Sequence, residues 1–432
     1  MTGGTMDTNR KTAYNTLVRM EKDSAYSNIE INVQIRRHEP DSPAFVRELV
    51  YGVLENKLYL DYLLDQLINK GLKSLKPPAL TVLRMGLYQL IYMDSVPEYA
   101  AVDESVKLAR RVCFGQVGLI NAVLRNYMRK KDQLKEPDDE KDPDMRLKYQ
   151  YSFDPWIVDL WNQQYGPERA AEIMESSKGK PPIYIRVNHL KISTATLAER
   201  LKASGIGVQD YDKSERVLIV EGREVLALPE YKEGLFSIQD AASVLAIEAL
   251  APKKDDVIID VCAAPGGKSL ACAEMMGNVG RIIGFDLYDN KLKRLRSEAA
   301  RLGADIIETQ VFDAMKVNKE FIGVADRVIC DVPCTGLGVI RRKPEIKFKV
   351  VSNSGRDLAK KQLAILEASA NYLKAGGFLM YSTCTINSIE NKDVIGKFLN
   401  KHKNFDLIRS RQLLPTSDGT DGFYYCKMKK KY

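Results

Sequence analysis

Residues 257–276 contain the feature that most narrows the possible folds of this 432-residue chain. Three β-branched apolar residues are followed by Asp260, a loop of small residues and a helical pattern from Leu270 to Met276. A buried strand that ends in an acid and enters a helix through such a loop is typical of the ligand crevice of a doubly wound α/β sheet. Small residues let a ligand approach the backbone closely. The loop, DVCAAPGGKS, is neither G-x-G-x-x-G nor a P-loop, which disfavours a dinucleotide or nucleoside-triphosphate site.

From residue 256 onward, predicted strands alternate with predicted helices, a pattern typical of a parallel sheet covered by helices. The predicted strands are 257–261, 281–285, 305–309, 328–330 and 378–382, with Gly376-Gly377 as a turn before the last of them. An acidic residue follows each of the first four strands, namely Asp260, Asp286, Asp313 and Asp331. A single acid at a strand end is most often a helix cap. Four acids at the edge where such sheets bind ligands favour one acidic crevice.

The N-terminal part differs, because residues 6–131 have the periodicity of helices throughout. Apolar residues recur at three- or four-residue intervals, as at Leu60, Leu63, Leu64, Leu67 and Ile68. The charge-rich stretch 132–150, with two prolines, predicts a linker. Residues 151–235 mix helical and strand patterns, which predicts a small α+β unit. The α/β region then occupies residues 236–432, and its lysine-rich end is expected to be a frayed tail.

The composition excludes several classes of protein. Hydrophobic residues make up 45% of the chain and charged residues 28%, ordinary values for a soluble globular protein. No apolar run approaches the roughly 18 residues that a membrane helix needs. The seven cysteines are dispersed and there are only three histidines, so we expect no disulfide framework, no metal site and a reducing cytoplasm. The net charge of +8 permits a polyanionic partner.

The loop 260–269 resembles motif I of the RNA cytosine-5 methyltransferases, which bind S-adenosylmethionine (SAM). Two later segments strengthen this resemblance: DVPCTGLG at 331–338 follows the fourth predicted strand, and STCT at 382–385 follows the fifth. Both are similar to the cysteine motifs of that family. FSIQDAAS at 236–243 is similar to the segment that leads into the family's catalytic domain.

The N-terminal region resembles a NusB-like RNA-binding module at AVDESV (101–106) and GLINAVLR (118–125), and residues 181–228 resemble the family's RNA-contacting insert. The resemblance implies a multidomain protein with an all-α NusB-like bundle, a small α+β RNA-binding insert and a C-terminal α/β Rossmann-like SAM methyltransferase domain. A bundle ahead of this catalytic domain is typical of family members that modify 16S ribosomal RNA. For a lone bundle, a solvated basic face would be the simpler interpretation.

The resemblance also implies SAM as the cofactor. It places around the methionine portion the loop residues Cys262, Ala263, Ala264, Pro265, Gly266, Gly267 and Lys268. Asp286 is assigned to the ribose, whose two hydroxyls suit a carboxylate, and Asp313 to the adenine side. Asp331 is the third acid of the cofactor crevice, whereas Asp260 is expected to orient the loop. A phosphate cradle is the weaker alternative, because these acids would repel polyphosphate unless a metal intervened.

Two cysteines carry the chemistry that the resemblance implies. Cys384 of the Thr-Cys motif is the nucleophile, and Cys334 of the Pro-Cys motif assists release of the methylated product. Asp331 is expected to bind the N3/N4 edge of cytosine. Lys268 is expected to orient Asp331 or favour the thiolate, with capping or a cofactor contact as the alternative. The other cysteines outside the loop are interpreted as small buried residues: Cys113, Cys272, Cys330 and Cys426.

RNA is the expected partner, with 16S ribosomal RNA before or during subunit assembly as the substrate. Arg341, Arg342 and Lys343, directly after the Pro-Cys motif, are candidate phosphate contacts. Arg186 is a further candidate, although a lone arginine on a strand is more often simply solvated. The target base must leave any stack, so single-stranded or locally opened RNA is expected. We expect no membrane and no obligate protein partner.

Three alternatives compete with this hypothesis. The first is the same chemistry on tRNA or on another ribosomal RNA site. The second is a DNA cytosine-5 methyltransferase, which is disfavoured because those enzymes use the Pro-Cys cysteine as nucleophile. The third is a non-catalytic RNA-binding or antitermination factor, which Asp331, Cys334 and Cys384 together disfavour.

Overall fold

A computed structural model describes residues 7–23, 27–138, 144–222 and 225–432 of the chain. Contacts divide the chain into two compact units. The first runs to Gly179 and includes Ile340–Val350, and the second comprises Lys180–Val339 and Val351–Tyr432. The predicted combination of an all-helical part, a small α+β part and an α/β part is confirmed.

Helices make up the first unit and cover the sheets of the second. In chain order they are α1 (Thr8–Asp23), α2 (Ser27–His38), α3 (Pro43–Glu55), α4 (Lys57–Leu67), α5 (Pro77–Tyr92), α6 (Glu98–Val112), α7 (Val117–Lys130), α8 (Pro155–Tyr165), α9 (Pro167–Ser176), α10 (Thr194–Ala203), α11 (Pro229–Lys232), α12 (Ala241–Leu250), α13 (Gly267–Met275), α14 (Asp289–Leu302), α15 (Ile346–Lys349), α16 (Ser354–Ser369), α17 (Lys392–Lys401) and α18 (Pro415–Asp418). Residues 6 and 24–26 of the predicted bundle, 139–143 of the predicted linker and 223–224 of the predicted α+β unit lie outside the described residues.

The strands form two sheets. In chain order they are β1 (Ile183–Val187), β2 (Gly207–Asp210), β3 (Val217–Glu221), β4 (Phe236–Ile238), β5 (Val257–Asp260), β6 (Arg281–Asp286), β7 (Ile307–Val311), β8 (Ala325–Asp331), β9 (Leu373–Thr383), β10 (Phe405–Leu413) and β11 (Phe423–Lys430). The small sheet has the order β2-β3-β1-β4 and the large one β10-β11-β9-β8-β5-β6-β7.

The core of the first unit is formed by the apolar stripes of α1 to α7. Leu64, Leu83 and Leu124, from α4, α5 and α7, are fully buried. Burial of a leucine contributes roughly 1.5–3 kcal/mol relative to an exposed position, so the predicted stripes hold the bundle together. Helix α3 begins where the sequence supplies a cap, because Ser42 Oγ accepts the N–H of Phe45 at 3.2 Å.

Helices α8 and α9 belong to the first unit, although the sequence assigns residues 151–235 to the α+β unit. The residues just before α8 contact α4. The ring of Tyr149 lies 4.8 Å from that of Tyr62, and Ser152 Oγ accepts the N–H of Leu58 at 2.8 Å. Nothing local in the sequence indicates these contacts, since their partners lie far apart in the chain.

The segment Ile340–Val350, which carries α15, also belongs to the first unit. The carboxylate of Glu345 accepts both the N–H and the hydroxyl of Ser27, each at 2.8 Å. Lys347 is fully buried, and its Nζ donates to the carbonyl oxygen of Tyr151 at 3.0 Å. Burial lowers the pKa of Lys347 to about 7. A stretch that reads as a charged loop is thus partly enclosed.

The small sheet is antiparallel, and the side chains of its central strand β1 alternate between two faces. Ile185 and Val187 pack with Leu201 of α10 in one core. Tyr184 and Arg186 lie on the opposite face. Because β4 pairs with β1, this sheet extends three residues past the boundary predicted at residue 235.

The large sheet brings the carboxyl ends of its parallel strands to one edge. Strands β5 to β9 are parallel, and β10 and β11 add an antiparallel pair beside β9. Their apolar residues are enclosed by helices on both faces; Ile258, Ile259, Val328 and Ile329 are all fully buried. All five parallel strands are found where the sequence predicts them, with small shifts of their ends.

Two local predictions for the large sheet are wrong. Gly376-Gly377 lies within β9, where the pairing shifts between Leu373 opposite Ala325 and Phe378 opposite Arg327. The irregular stretch uses the freedom of Gly376, whose φ is +78°. The lysine-rich end is also ordered, because β11 pairs with both β9 and β10.

Among the described helices, none is long and apolar enough to cross a membrane.

Candidate active site

The acids predicted to share a crevice do meet at one edge of the large sheet. Asp260, Asp286 and Asp331 are the last residues of β5, β6 and β8, and Asp313 lies two residues beyond β7. These four strands are neighbours in the sheet. Tertiary structure therefore places four carboxylates along one rim, as the spacing predicts.

A hydrogen bond connects the two ends of the loop between β5 and α13. Ser269 Oγ donates to Asp260 Oδ2 at 2.7 Å, which links the strand end to the first turn of α13. Burial raises the pKa of Asp260 to about 7, and the nearby carboxylate of Asp331 adds to this rise. Gly266 has a φ of +115°, and a Cβ there would collide with Leu295. Only glycine suits that position, and the enclosed Asp260 agrees with an orienting role.

The rim next to Asp286 has the chemistry of a nucleoside site. Asp286 Oδ1 accepts the N–H of Tyr288 at 3.1 Å, and the side chains of Leu287 and Tyr288 are each 54% exposed. Asp313 Oδ1 accepts the N–H of Met315 at 3.0 Å, and Met315 is 48% exposed. Carboxylates beside exposed apolar side chains fit a ligand with hydroxyl groups and a flat ring. These residues therefore fit SAM.

The two motif cysteines lie side by side. Strands β8 and β9 are paired, with Asp331 opposite Ser382, so the turns that follow them are adjacent. The Sγ atoms of Cys334 and Cys384 are 3.3 Å apart, and the N–H of Gly338 donates to the carbonyl oxygen of Cys384 at 3.1 Å. Neighbouring strand ends thus bring the two sulfurs together, and their place in one substrate cleft stays a prediction.

The thiol of Cys334 is held in its protonated form. The hydrogen bond with Cys384, together with burial, raises the pKa of Cys334 well above its usual value. Cys334 therefore keeps its proton and can donate it toward the sulfur of Cys384. Burial likewise raises the pKa of Cys262 well above the usual range, which disfavours its thiolate.

Lys268 forms an ion pair with Asp331 beside the cysteines. Its Nζ lies 2.7 Å from Asp331 Oδ2 and 3.4 Å from Ser243 Oγ, and Ser382 Oγ donates to Asp331 Oδ1 at 2.6 Å. Burial alone lowers the pKa of Lys268, but the carboxylates of Asp331 and Asp260 raise it by more. The ammonium thus stays charged and is bonded to the carboxylate of Asp331, while the role of Lys268 in the reaction stays a prediction. A fixed positive charge here also favours a nearby thiolate.

The prediction that Arg186 contacts RNA is wrong. Its side chain is enclosed and forms a two-pronged ion pair with Glu274 of α13, with N–O distances of 2.7 and 2.8 Å. Its Nη1 also donates to the carbonyl oxygen of Gly267 at 2.9 Å and to the side chain of Gln239. The alternation of β1 turns this arginine inward. It links the small sheet to α13, including the first residue of this helix.

We expect Arg186→Met to destabilise the protein by about 3–5 kcal/mol, because it leaves the carboxylate of Glu274 buried without its partner. Urea unfolding followed by circular dichroism measures this loss. Arg281→Met is the matched control: Arg281 also forms a two-pronged ion pair, with Glu308, but both side chains are more than 40% exposed. That change should cost no more than about 1 kcal/mol. Equal stability of the two variants would contradict the structural role of Arg186.

The basic residues after the Pro-Cys motif lie in the first unit. Arg341, Arg342 and Lys343 are half-buried, and Arg341 Nε lies 3.4 Å from the carbonyl oxygen of Gly179, to which it donates. Their contact with RNA stays a prediction.

Within the described parts of the chain, no group of three or more His, Cys, Asp or Glu side chains could hold a metal ion.

Sequence reasoning missed Glu390, six residues after Cys384. Its side chain is fully buried and accepts hydrogen bonds from Thr335, Gln362 and Asn387. The only signal in the sequence was a lone acid in the polar stretch that follows the Thr-Cys motif, which is more often solvated.

The parallel sheet, its antiparallel extension and the acidic carboxyl edge place the chain in the methyltransferase class. The family model described as "16S rRNA methyltransferase RsmB/F" matches residues 247–429, the NusB family model matches 7–129, and the ferredoxin-like domain of the RsmF/B-like methyltransferases matches 153–225. The chain belongs to the ribosomal RNA small subunit methyltransferase B family. A probable member from Bacillus subtilis is 37% identical over 98% of both chains, and one from Vibrio cholerae is 35% identical over 91% of both.

Solved structures share the fold. The crystal structure of PH0851 is similar over 99% of both chains, with a TM-score of 0.82 at 24% sequence identity. A methyltransferase homologue from Pyrococcus horikoshii is 27% identical, with a TM-score of 0.57, and the similarity covers 64% of this chain and 99% of that one. The similarity to PH0851 thus extends over both units.

Proposed function

We propose that this protein transfers a methyl group from SAM to C5 of a cytidine in 16S ribosomal RNA, with Cys384 bonded transiently to C6 of the base. The observation that carries this proposal is the pair of sulfurs 3.3 Å apart at the sheet edge that bears the acids. Membership of a family whose model is described as a 16S rRNA methyltransferase supports the choice of RNA. The relatives from B. subtilis and V. cholerae are named for the same subunit.

The need for a thiol follows from the base. Cytosine C5 is a poor nucleophile, but addition of a thiolate at C6 breaks the aromatic conjugation and makes C5 enamine-like. Cys384 supplies that thiolate, and the ammonium of Lys268 stabilises its charge. When bound, SAM supplies the electrophilic methyl group that C5 takes up.

Asp331 recognises the base. Its carboxylate is fixed by Lys268 and Ser382, and 31% of its side chain is exposed, so it can bind the N3/N4 edge of cytosine. After methylation a base removes the C5 proton, the electron pair re-forms the C5–C6 double bond, and the bond from C6 to the sulfur of Cys384 breaks. Cys334, next to the departing sulfur, assists this release.

The crevice beside the cysteines holds the cofactor. Asp286 binds the ribose hydroxyls, and Asp313 lies on the adenine side. The backbone of residues 262–268 surrounds the methionine portion, with Gly266 and Gly267 permitting close approach. The helical first unit and the basic residues Arg341, Arg342 and Lys343 contact RNA phosphates.

A panel of unmodified RNAs incubated with the protein and labelled SAM tests this function. We expect label in 16S ribosomal RNA, and mapping of 5-methylcytosine in cells with and without the protein should then reveal one changed position. Label in tRNA or in another ribosomal RNA would overturn the proposed substrate. SAM binding by calorimetry without transfer to any RNA would overturn the activity and favour a non-catalytic RNA-binding factor.

We expect Lys268→Met to lower kcat by about 10²-fold or more, and to move the rise of kcat with pH toward higher pH. The profile should move this way because loss of the Lys268 ammonium disfavours the thiolate of Cys384. The thiolate then forms only at higher pH. The pH profile of kcat measures both effects. Lys360→Met, which removes an 81% exposed ammonium on α16, is the control and should leave the profile unchanged. An unshifted profile in Lys268→Met would refute the role in thiolate formation.

A further inference from the structure

We propose that Glu390 is a positioning residue for the reaction, whose carboxylate holds the turn of Cys334 against the turn of Cys384 and so sustains product release. This inference rests on the proposed covalent mechanism and adds to it a residue that touches neither the base nor the cofactor.

Glu390 is bonded through both of its carboxylate oxygens. Oε1 accepts the N–H of Thr335 at 2.8 Å and the side-chain amide of Gln362 at 3.0 Å. Oε2 accepts the hydroxyl of Thr335 at 2.5 Å and the side-chain amide of Asn387 at 3.3 Å. Thr335, the residue directly after Cys334, thus donates to Glu390 through both its backbone N–H and its hydroxyl.

A hydrogen bond between two threonine hydroxyls connects Thr335 to the residue that follows the second cysteine. Thr335 Oγ1 lies 2.9 Å from Oγ1 of Thr385, the residue directly after Cys384. A carboxylate can only accept, so the hydroxyl of Thr335 donates to Glu390 and its oxygen receives the hydroxyl hydrogen of Thr385. The ionised form of Glu390 therefore sets the direction of both hydrogen bonds. The residues that follow the two cysteines are joined directly by their hydroxyls, and Glu390 fixes the Thr335 member of this pair.

Burial of the Glu390 carboxylate costs free energy of folding, which argues against a purely structural role for this residue. Glu390 is fully buried, and its four donors are all neutral. Apolar residues of similar volume often stabilise a core at least as well as a buried charge does. The negative charge also acts on the chemistry, since it contributes to the raised pKa of Cys334. Glu390 thus keeps the assisting thiol both in place and protonated.

The test separates adduct formation from adduct release. RNA that contains 5-fluorocytidine traps the covalent adduct, because C5 then has no proton to lose, and it reports formation alone. Ordinary RNA reports release through the lifetime of the denaturation-resistant adduct. We expect Glu390→Gln to form the trapped adduct at close to the wild-type rate, and to prolong the adduct on ordinary RNA by about tenfold to a hundredfold. The pH dependence of release should move toward lower pH, since the pKa of Cys334 falls once the negative charge is gone.

Thr335 offers a matched pair of variants. Thr335→Val removes the hydroxyl at constant shape and should slow release as Glu390→Gln does, whereas Thr335→Ser keeps the hydroxyl and should release at the wild-type rate. The double variant Glu390→Gln/Thr335→Val should be no slower than the slower single variant, because the two residues act as one unit. The Thr335 variants keep the proposal open to refutation if Glu390→Gln fails to fold.

Wild-type lifetimes of the adduct in both Glu390→Gln and Thr335→Val would overturn the role of Glu390 and leave the proposed function intact. A wild-type protein that forms no trapped adduct on 5-fluorocytidine RNA would instead overturn the covalent mechanism itself. Equal slowing of formation and release in Glu390→Gln would indicate a general structural role and would also overturn the proposal.

Discussion

Cys384→Ala is expected to abolish methyl transfer, with activity at least about 10⁴-fold below wild type, while SAM binds with nearly unchanged affinity. Removal of a covalent nucleophile eliminates the step that activates C5, and other residues of the site cannot replace it. SAM affinity should survive, because the cofactor is assigned to the loop 262–268, to Asp286 at the end of β6 and to Asp313 after β7. Transfer of labelled methyl groups to RNA measures the first effect, and calorimetry measures the second.

Cys113→Ala is the matched control for this variant. Cys113 follows α6 in the first unit and, like Cys384, is partly exposed and outside any disulfide, so the expectation that it is buried is wrong. Its replacement should leave transfer at the wild-type level. Turnover by Cys384→Ala at the wild-type rate would contradict the assignment of the nucleophile. Loss of both transfer and SAM binding would show only that the site had been disrupted, and Cys384→Ser would then replace it as the smaller change.

Cys334→Ala should have the second largest effect: a covalent protein–RNA adduct accumulates, and turnover falls by about 10²-fold or more. Cys384 can still add to C6, but the departing sulfur lacks the thiol that stands 3.3 Å away in the wild type. A denaturing gel detects the adduct as a band of reduced mobility that disappears on digestion with ribonuclease.

The double variant Cys334→Ala/Cys384→Ala supplies the control, since an adduct through Cys384 cannot form in it. The two single variants also distinguish this protein from the DNA cytosine-5 methyltransferases, in which the Pro-Cys cysteine is the nucleophile. In that case the outcomes would be exchanged, with the adduct accumulating in Cys384→Ala and no bond forming in Cys334→Ala.

Much of the site could be predicted from the sequence because its signals are local. A strand, an acid, a small-residue loop and a helix follow one another within 257–276, and parallel strands necessarily bring their carboxyl ends to one edge. The proximity of Cys334 and Cys384 follows from the same rule, since each cysteine comes just after one of two neighbouring strands. The apolar stripes of the helices in the first unit are likewise predicted by apolar residues at three- and four-residue intervals.

Other features depend on partners that are distant in the chain. The inward turn of Arg186 is decided by Glu274, and the order of the lysine-rich end is decided by strands β9 and β10. Segment Ile340–Val350 reads as a charged loop, yet Glu345 bonds to Ser27 of α2, and Lys347 bonds to the carbonyl oxygens of Glu55 at the end of α3 and of Tyr151 before α8. A window of sequence contains none of these partners.

The sequence by itself determined the order of the secondary structure elements, the acidic edge and the identity of the two sulfur atoms. Only the tertiary structure decided which charged side chains are enclosed, and hence that Arg186 pairs with Glu274 inside the protein and that Glu390 bonds to Thr335 beside Cys334. The physical reason is that a buried charge is tolerated only where specific donors or counter-charges surround it. Those groups come together only when the chain has folded.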